Sequence, residues 1–406
     1  MNAVTNKLFN VLEDPNQPFI GRNIKLLKMC GLLLPENNTT LKNIYIIAQS
    51  MVFLFIVTEY IDMYMSRSDI LAILRNIKYT IFATVNVFKV IPFLIWQKKW
   101  KTVHQFVMDV DFERRKMQDV SFKTVYDRFS LLNKIMTYLY FYLTYGTIIL
   151  IILQPVIQYC LSSTYRENLK NGTEKGIEIV SSWIPFNKEN NICYSFLLIV
   201  QSLILIYSGG WITSYDTNAV TLMIFIRTEL ELLRKDCQIL FGTEENPITE
   251  NEARVRLEKC HKRHNDLLTC ARLFDSCLSP VMLLYVVMCS SMLCATAYQF
   301  TIETSTMQKV ITAEFLIFAV AQLFLYCWYS NDVFYVSKDL MLGPYESIWW
   351  TRTLSEQRDV NILADQLNKI LVFSAGPFTS ITVTSFINIL KGAYSYYTLL
   401  SQSQED

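Results

Sequence analysis

Seven long apolar stretches dominate this sequence, and each is long enough to cross a membrane as a single helix. A helix of about 20 residues spans the roughly 30 Å of hydrocarbon in a bilayer. The stretches lack the alternating polarity that strands of a membrane barrel show. They occupy roughly residues 44–65, 77–96, 133–159, 192–213, 279–301, 310–331 and 372–400. The sequence therefore predicts an all-α membrane protein with seven transmembrane helices.

The composition agrees with a chain that lies in membrane lipid. Of 406 residues, 52% are hydrophobic and only 18% are charged, which is more apolar surface than one soluble core needs. The formal net charge of +1 provides no basic field for phosphates, so we expect no nucleic-acid partner. The sequence has no Gly-rich phosphate loop, no H-E-x-x-H and no G-x-S-x-G motif, and we therefore expect neither an enzyme nor a cofactor.

One short segment carries residues of the kinds that bind metals. His261 and His264 are three residues apart beside Cys260, a spacing that places ligands on one helical face. The neighbouring Lys and Arg residues would repel a dication, so a solvated helix face is favoured and no metal is expected. Cys160 and Cys193 flank a loop and would form a disulfide only if they lie close together, which the sequence leaves open.

The distribution of Lys and Arg orients the predicted spans. With the N-terminus in the cytosol, the inward segments contain about 25 basic residues and the outward loops about eight. This bias predicts a cytosolic N-terminus and, with seven spans, an extracellular C-terminus. The sequon at Asn171 then lies outside and is a candidate for glycosylation. The inward segments are 1–41, 97–130, 214–278 and 332–371.

Two of the inward segments, 251–278 and 361–371, carry apolar residues at helical spacing. These stripes predict that spans 4, 5 and 7 continue as amphipathic helices beyond the membrane. Ionisable residues in or next to spans are costly in lipid and are expected to face a cavity, a pore or a partner. They are Glu59, Asp62, Lys89, Asp216, Glu314 and Lys391. A ring of four Lys391 side chains would oppose cation flow, so we expect Lys391 to point away from a pore or to be present in few copies.

Aromatic residues concentrate in the predicted outer halves of spans 2, 3, 4 and 6. Together with sparse polar groups such as Asn86 and Thr147, they predict a mostly apolar cavity that suits a small uncharged ligand. Helix packing also uses aromatic residues, so the pattern alone does not identify the lining residues. The aromatic residues concerned are Tyr79, Phe82, Tyr142, Tyr145, Phe196, Phe315 and Phe318.

Seven spans invite comparison with G-protein-coupled receptors, but the signatures of that class are missing. Asp127-Arg128-Phe129 precedes span 3 instead of following it, and the Cys327-Trp328 pair in span 6 lacks the usual proline. Span 7 contains no N-P-x-x-Y motif, and the charge bias places both termini on the opposite sides. The resemblance is one of span number only.

The last 85 residues carry a specific pattern of four separated elements. They are QLFLYCWYSND at 322–332, YESIWW at 345–350, AGPF at 375–378 and TSFINILKGAYSYY at 384–397. Their order and spacing resemble the C-terminal signature of insect odorant receptors, whose final span reads T-x-F-x-x-I-L-K-x-S-Y-S-Y-F. Departures are mild: Ser330 replaces Gly, Trp350 replaces Tyr and Ala393 replaces Ser.

The resemblance implies a ligand-gated, non-selective cation channel of four subunits in the plasma membrane of olfactory neuron dendrites. The chain lacks the extended second cytosolic loop of the coreceptor, so it resembles a ligand-tuning subunit that forms a heterotetramer with odorant coreceptor subunits. The seventh helix of the family is split, and Gly376-Pro377 fits the break because Gly relaxes the backbone and Pro can open a helix. Residues 1–350 would then form spans 1 to 6 with the pocket and helix extensions, and 351–406 the cytosolic anchor helix and pore-lining helix.

The resemblance also assigns residues to two sites. The hydrophobic gate of the family falls on Leu399, with Ser395 and Tyr396 one turn below it in the pore. The odorant pocket of the family lies among spans 2, 3, 4 and 6, where a small volatile, mostly apolar ligand would bind. The expected pocket residues are Tyr79, Phe82, Asn86, Tyr142, Gly146, Leu150, Phe196, Val200, Ile311, Phe315 and Phe318.

Two alternatives remain at this stage. A gustatory-type chemoreceptor channel has the same topology but usually ends in T-Y-x-x-x-x-x-Q-F, which this chain does not have. A metabotropic seven-span receptor would require a cytosolic C-terminus, contrary to the charge bias.

Overall fold

The fold is almost entirely helical in a computed structural model that describes residues 17, 19–68, 70–116, 120–171, 176–186, 191–243, 246, 248–303 and 305–402. Within these residues eleven α-helices follow one another along the chain. They are α1 Gly21–Met29, α2 Thr39–Met65, α3 Ile70–Ile95, α4 Gln97–Arg115, α5 Val120–Leu161, α6 Ser163–Lys170, α7 Asn191–Gln238, α8 Glu250–Ile302, α9 Thr306–Asp339, α10 Leu354–Leu367 and α11 Val383–Gln402. A two-residue hairpin pairs β1, Ser374–Ala375, with β2, Thr379–Ser380.

Six of these helices, α2, α3, α5, α7, α8 and α9, are long and apolar enough to cross a membrane. They coincide with the first six predicted stretches. The seventh helix, α11, has span length at 20 residues but is less apolar, because it carries Asn388 and Lys391 in its middle. The predicted window 372–400 was wrong at its start, since residues up to 382 form the hairpin and its flanks.

Two helices continue far beyond their apolar stretches, as predicted for spans 4 and 5, but the same prediction was wrong for span 7, which the hairpin separates from its amphipathic segment. Helix α7 runs unbroken for 48 residues and α8 for 53. Helix α8 begins with a capping box in which the Thr249 side chain accepts the Glu252 N–H and the Glu252 side chain accepts the Thr249 N–H. This reciprocal pair satisfies amide groups that the first turn of a helix leaves unbonded.

The seventh predicted helix is divided into α10 and α11, as the resemblance implied. Helix α10 starts with its own capping box, formed by Thr353 and Glu356. Gly376 lies in the hairpin turn with φ +65, a conformation that glycine adopts without steric cost. The expectation that Pro377 opens the second helix was wrong, because α11 begins six residues later at Val383.

The hairpin is fastened to α8 by hydrogen bonds. The Asp275 carboxylate accepts the Ser374 N–H at 2.9 Å and the Ser374 hydroxyl at 3.0 Å. The Ser279 hydroxyl oxygen accepts the Gly376 N–H at 2.9 Å. These bonds fix the start of α11 relative to α8, against which α11 then packs.

Helix α4, which is not one of the six spans, packs its apolar face into the bundle. Its Trp100 stacks on Phe93 with ring centroids 4.7 Å apart. His104 is buried, and its Nε2 lies 2.9 Å from the Asn218 side-chain oxygen, so Nε2 carries the proton that it donates. Burial lowers the pKa of His104 from 6.5 to about 4, because the charged imidazolium loses its hydration.

We predict that His104 makes the stability of the fold depend on pH. Between pH 6.5 and about 4 the unfolded chain binds a proton at this position that the folded chain does not, so stability falls as pH falls through this range. Thermal unfolding of the detergent-purified protein at pH 7.5 and 5.0 measures the effect. His104→Gln should reduce the difference between the two midpoints, whereas His261→Gln, at an exposed position, should leave it unchanged. An unaltered pH dependence in His104→Gln would contradict the assignment.

Candidate functional site

A cavity lies among five helices of the bundle. Its volume, including its opening to solvent, is about 740 Å³, which is in the range of sites that hold small organic molecules. Helices α2, α3, α5, α7 and α9 supply most of the walls, and Val180 of the segment 176–186 completes them. The lining residues are Val52, Phe55, Ile56, Glu59, Tyr79, Phe82, Ala83, Asn86, Thr144, Thr147, Ile148, Ile151, Val180, Ile204, Leu205, Ser208, Trp211, Ile212, Phe315 and Phe318.

Aromatic rings from α3 and α9 form one wall of the cavity. The ring of Phe315 meets Tyr79 at 5.6 Å and Phe82 at 5.5 Å between centroids, in both cases edge to face. Phe82 also meets Phe318 edge to face at 5.7 Å. Edge-to-face contacts hold rings in fixed relative positions, so this wall is built in advance of any ligand.

Five of the eleven expected pocket residues line this cavity, all of them on α3 and α9. They are Tyr79, Phe82, Asn86, Phe315 and Phe318. Ile311 is also on α9 and fully buried, but it packs in the core outside the cavity.

The expected pocket residues on α5 and α7 lie elsewhere. Tyr142 and Phe196 are exposed on the outside of the bundle. Gly146 and Leu150 are each two residues away from Ile148, which lines the cavity, so the turn of α5 directs them to another side. Val200 is partly buried outside the cavity. These spans carry no motif that fixes which face points inward.

Span 1 contributes residues that the sequence analysis did not place in the pocket. Val52, Phe55, Ile56 and Glu59 on α2 all line the cavity. They recur at spacings of three and four, the period of one helical face. Glu59, a costly carboxylate in a mostly apolar span, was expected to face a cavity, a pore or a partner, and it lines the cavity.

A network of buried polar groups lies directly beside the cavity, centred on Asp216 of α7. Lys89 Nζ of α3 forms an ion pair with Asp216 Oδ1 at 2.7 Å, and both side chains are at most 3% exposed. The Tyr326 hydroxyl of α9 donates to the same oxygen at 2.5 Å. The second oxygen, Oδ2, accepts the Tyr140 hydroxyl of α5 at 2.6 Å and Nε2 of Gln322 at 2.5 Å.

The ammonium group of Lys89 also lies over aromatic rings. Its Nζ is 5.0 Å from the ring centroid of Tyr285, 5.7 Å from that of Tyr326 and 5.9 Å from that of Tyr215. Ring faces attract a cation, and the attraction is stronger where water is excluded. The charge of Lys89 is therefore balanced by one carboxylate and three rings. Of the three environments expected for this residue, a cavity, a pore or a partner, the structure shows a partner within the same chain.

The network and the cavity share a boundary. The Tyr140 ring, whose hydroxyl donates to Asp216, packs on Phe318 of the cavity wall with centroids 6.1 Å apart. On α3, Asn86 in the cavity is one turn away from Lys89 in the network. A displacement of the cavity wall would therefore act on residues that hold the ion pair.

Helix α11 presents a separate candidate surface. Its Phe386 packs on Phe324 of α9 at 5.5 Å between ring centroids. On the opposite side, Lys391, Ser395 and Leu399 are exposed and follow one another at intervals of four residues, so they lie along one face. Tyr396 is also exposed.

The remaining predicted positions are placed as follows. Cys160 and Cys193 are both free thiols. Asn171 is exposed at the end of α6, while the other two residues of its sequon lie outside the described part of the chain. His261 is exposed and His264 buried, and the described residues contain no group of three or more His, Cys, Asp or Glu side chains that could hold a metal ion.

Comparison with known sequences identifies the family to which this arrangement is related. The sequence profile described as 7tm Odorant receptor matches residues 69–394. Odorant receptor 10 of Aedes albopictus is 20% identical over 210 residues, which are 51% of this chain and 55% of that protein. The odorant receptor coreceptor of Anopheles gambiae is 24% identical over 142 residues, 35% of this chain and 30% of that protein. The chain thus spans about half or less of the length of these curated relatives.

Comparison with solved structures establishes the architecture. The insect olfactory receptor OR5 from Machilis hrabei in complex with eugenol superposes with a TM-score of 0.79 at 17% identity, over 95% of this chain and 97% of that one. The chain therefore has the all-α, seven-span membrane fold of insect olfactory receptors, with α11 as the seventh span.

We predict that removing the cation of the buried network destabilises the bundle. Lys89→Met leaves the Asp216 carboxylate buried without its counterion, which costs about 3–5 kcal/mol for a buried pair. Thermal unfolding in detergent and the yield of folded protein measure the loss. Lys101→Met, at an exposed pair with Glu36, serves as the control and should leave the midpoint almost unchanged, because water already screens that pair. Equal midpoints for the two variants would contradict a structural role for the Lys89–Asp216 pair.

Proposed function

The chain belongs to the 7tm odorant receptor family, and from that premise we propose that it is the ligand-binding subunit of an odorant-gated, non-selective cation channel. The observation that supports this most strongly is the cavity with aromatic walls beside the Lys89–Asp216 network. The family is one of receptors and not of enzymes. The protein would act in the plasma membrane of olfactory neurons.

The cavity has the properties that a small volatile ligand requires. Its walls are mostly apolar and aromatic, so transfer of a hydrophobic molecule from water into it is favourable. Ligand binding opens the channel only if the ligand binds the open arrangement more tightly than the closed one. A ligand with equal affinity for both does not shift the equilibrium between them. Movement of Phe318 against Tyr140 would supply such a difference, since both rings adjoin the ion-pair network.

Helix α9 offers a direct route from the cavity to α11. Phe318 lines the cavity, Gln322 and Tyr326 hold the network, and Phe324 packs on Phe386 of α11. These residues lie within three turns of one helix. A shift of α9 on ligand binding would therefore displace α11 without any longer chain of contacts.

We assign the pore to the exposed face of α11. Polar and charged groups such as Lys391 and Ser395 on a membrane-spanning helix require water or a partner subunit beside them. Leu399 on the same face, with Tyr396 next to it, would form the apolar constriction that closes the pore by excluding water. Residues 1–350 would thus carry the ligand pocket and 351–406 the anchor helix and pore helix.

The partner in the channel would be the odorant coreceptor. Similarity between this chain and a coreceptor supports assembly into one ring, because related subunits present equivalent surfaces to one another. Lys391 favours a heterotetramer with few copies of this chain, since four ammonium groups around one pore would repel cations. We also propose the topology that the charge bias predicts, with a cytosolic N-terminus, an extracellular C-terminus and a glycan at Asn171.

We predict an odorant-evoked cation current when this chain is expressed together with a coreceptor, and none from this chain alone. Filling the cavity with Ala83→Phe should abolish the response while the complex still reaches the cell surface. The matched control, Ile149→Phe, adds a ring on the exposed outside of α5 and should leave the response unchanged. A robust current from this chain alone, or a full response from Ala83→Phe, would contradict the proposal.

We further predict that Leu399→Ser increases the current in the absence of ligand. A hydroxyl in the constriction lowers the cost of wetting the closed pore, so the channel should conduct without odorant. Leu139→Ser, at an exposed apolar position of α5, controls for a general effect of the substitution. Whole-cell recording before odorant application measures both, and an unchanged basal current in Leu399→Ser would place the gate elsewhere.

A further inference from the structure

Three of the four hydroxyl groups that line the cavity, those of Thr144, Thr147 and Ser208, are already occupied as hydrogen-bond donors. The Thr144 hydroxyl donates to the Tyr140 carbonyl at 2.9 Å and the Ser208 hydroxyl to the Leu205 carbonyl at 3.0 Å. The Thr147 hydroxyl lies 2.9 Å from the Leu143 carbonyl and 2.5 Å from Oε1 of Glu314. These groups offer few donors to a ligand.

Two acceptors in the same cavity have no partner. Oε2 of Glu59 is buried without a hydrogen bond, in a side chain that is only 4% exposed. Asn86 donates its Nδ2 to the Phe82 carbonyl at 2.9 Å, which leaves its Oδ1 buried and unbonded. A buried polar atom without a partner destabilises the fold, and more so if it is charged. A ligand that donates hydrogen bonds would satisfy these two acceptors.

The Glu59 carboxylate also lacks a positive charge. Among the described residues that line the cavity, none is Lys or Arg. Lys78, next to Tyr79 on α3, donates instead to the Thr312 hydroxyl at 3.0 Å and lies over the rings of Tyr79 and Phe315. An ionised carboxylate in an apolar cavity is unfavourable unless a cation pairs with it.

The rest of the lining suits an organic cation. Glu59 shares the cavity with the rings of Phe55 and Phe82, and the faces of such rings attract ammonium groups. The apolar walls accommodate a hydrocarbon chain attached to that group. A carboxylate with aromatic neighbours attracts an ammonium group through both charge and hydrogen bonding. It attracts a hydroxyl group through hydrogen bonding alone.

We propose that the cavity binds a small organic amine in its ammonium form, with the ammonium group donating to Glu59 and Asn86 and the hydrocarbon part among the aromatic rings. This inference rests on the proposed function and narrows its ligand class. It changes the sequence-based expectation of an uncharged ligand, because span 1 had not been counted among the pocket walls. An alcohol shares the donor chemistry without the charge and should bind more weakly.

The experiment compares four ligands that share a six-carbon chain and differ at one end. Hexan-1-amine, hexan-1-ol, hexanal and hexanoic acid are applied to cells that express this chain with a coreceptor. We expect the half-maximal concentration to be lowest for the amine, at least tenfold higher for the alcohol, and higher again for hexanal, which cannot donate. Hexanoic acid, an anion at neutral pH, should be inactive. Equal or greater sensitivity to hexanal would overturn the proposal.

Glu59→Gln tests the contact itself. This substitution keeps the size of the side chain and removes its charge, so the response to hexan-1-amine should fall at least tenfold while that to hexan-1-ol changes less. Retention of the alcohol response shows that the variant folds and assembles. Glu258→Gln, at an exposed position on α8, is the matched control and should behave as the unsubstituted chain. An unchanged amine response in Glu59→Gln would refute the role of Glu59.

The outcomes separate failure of this inference from failure of the proposed function. If several of the four ligands evoke current without a preference for the amine, the channel assignment stands and the amine inference fails. If none of a broad set of volatiles evokes current from a complex detected at the cell surface, the proposed function itself fails, and the ligand class with it.

Discussion

The buried ion pair between Lys89 and Asp216 is the interaction around which the bundle is organised. Each charge alone would be expensive inside a membrane protein, so the pair requires α3 and α7 to stay in contact. Tyr140 and Tyr326 complete the hydrogen bonding of the carboxylate from α5 and α9. Four helices thus converge on one carboxylate, and the position of each is defined relative to the other three.

This constraint gives the cavity its shape. The same four helices, joined by α2, separate on one side of the network and leave the cavity between them. Phe318 and Tyr140 form the contact between the two regions, so a ligand that moves the aromatic wall also acts on the network. A buried ion pair tolerates few arrangements. The four helices that meet at the Lys89–Asp216 pair are therefore suited to two discrete arrangements instead of continuous deformation.

The length of an apolar stretch can be read from the local sequence alone. The first six spans were therefore predicted at nearly the positions of the apolar helices in the structure. The start of the seventh was misplaced because the hairpin at Gly376 is held by contacts with Asp275 and Ser279, which are about 100 residues away in sequence. The C-terminal motif predicted the division of that span. The extensions of α7 and α8 followed from their amphipathic stripes.

The candidate site was predicted in part. Tyr79 and Phe82 were assigned to the pocket and line the cavity, whereas Tyr142 was assigned and lies outside, because nothing in α5 fixes its rotation. Lys89 and Asp216 were both singled out as costly charges, but their pairing depends on the distance between two helices. Glu59 was missed as a pocket residue since span 1 was not expected to contribute.

The central claim is that a ligand in this cavity opens a pore lined by α11. A structure of the chain assembled with a coreceptor and bound to an activating odorant tests it most directly. We predict ligand density bounded by Phe82, Phe315 and Phe318, with an outward displacement of Leu399 relative to the unliganded complex. Ligand density at a subunit interface, with the cavity filled by its own side chains and α11 unmoved, would contradict it.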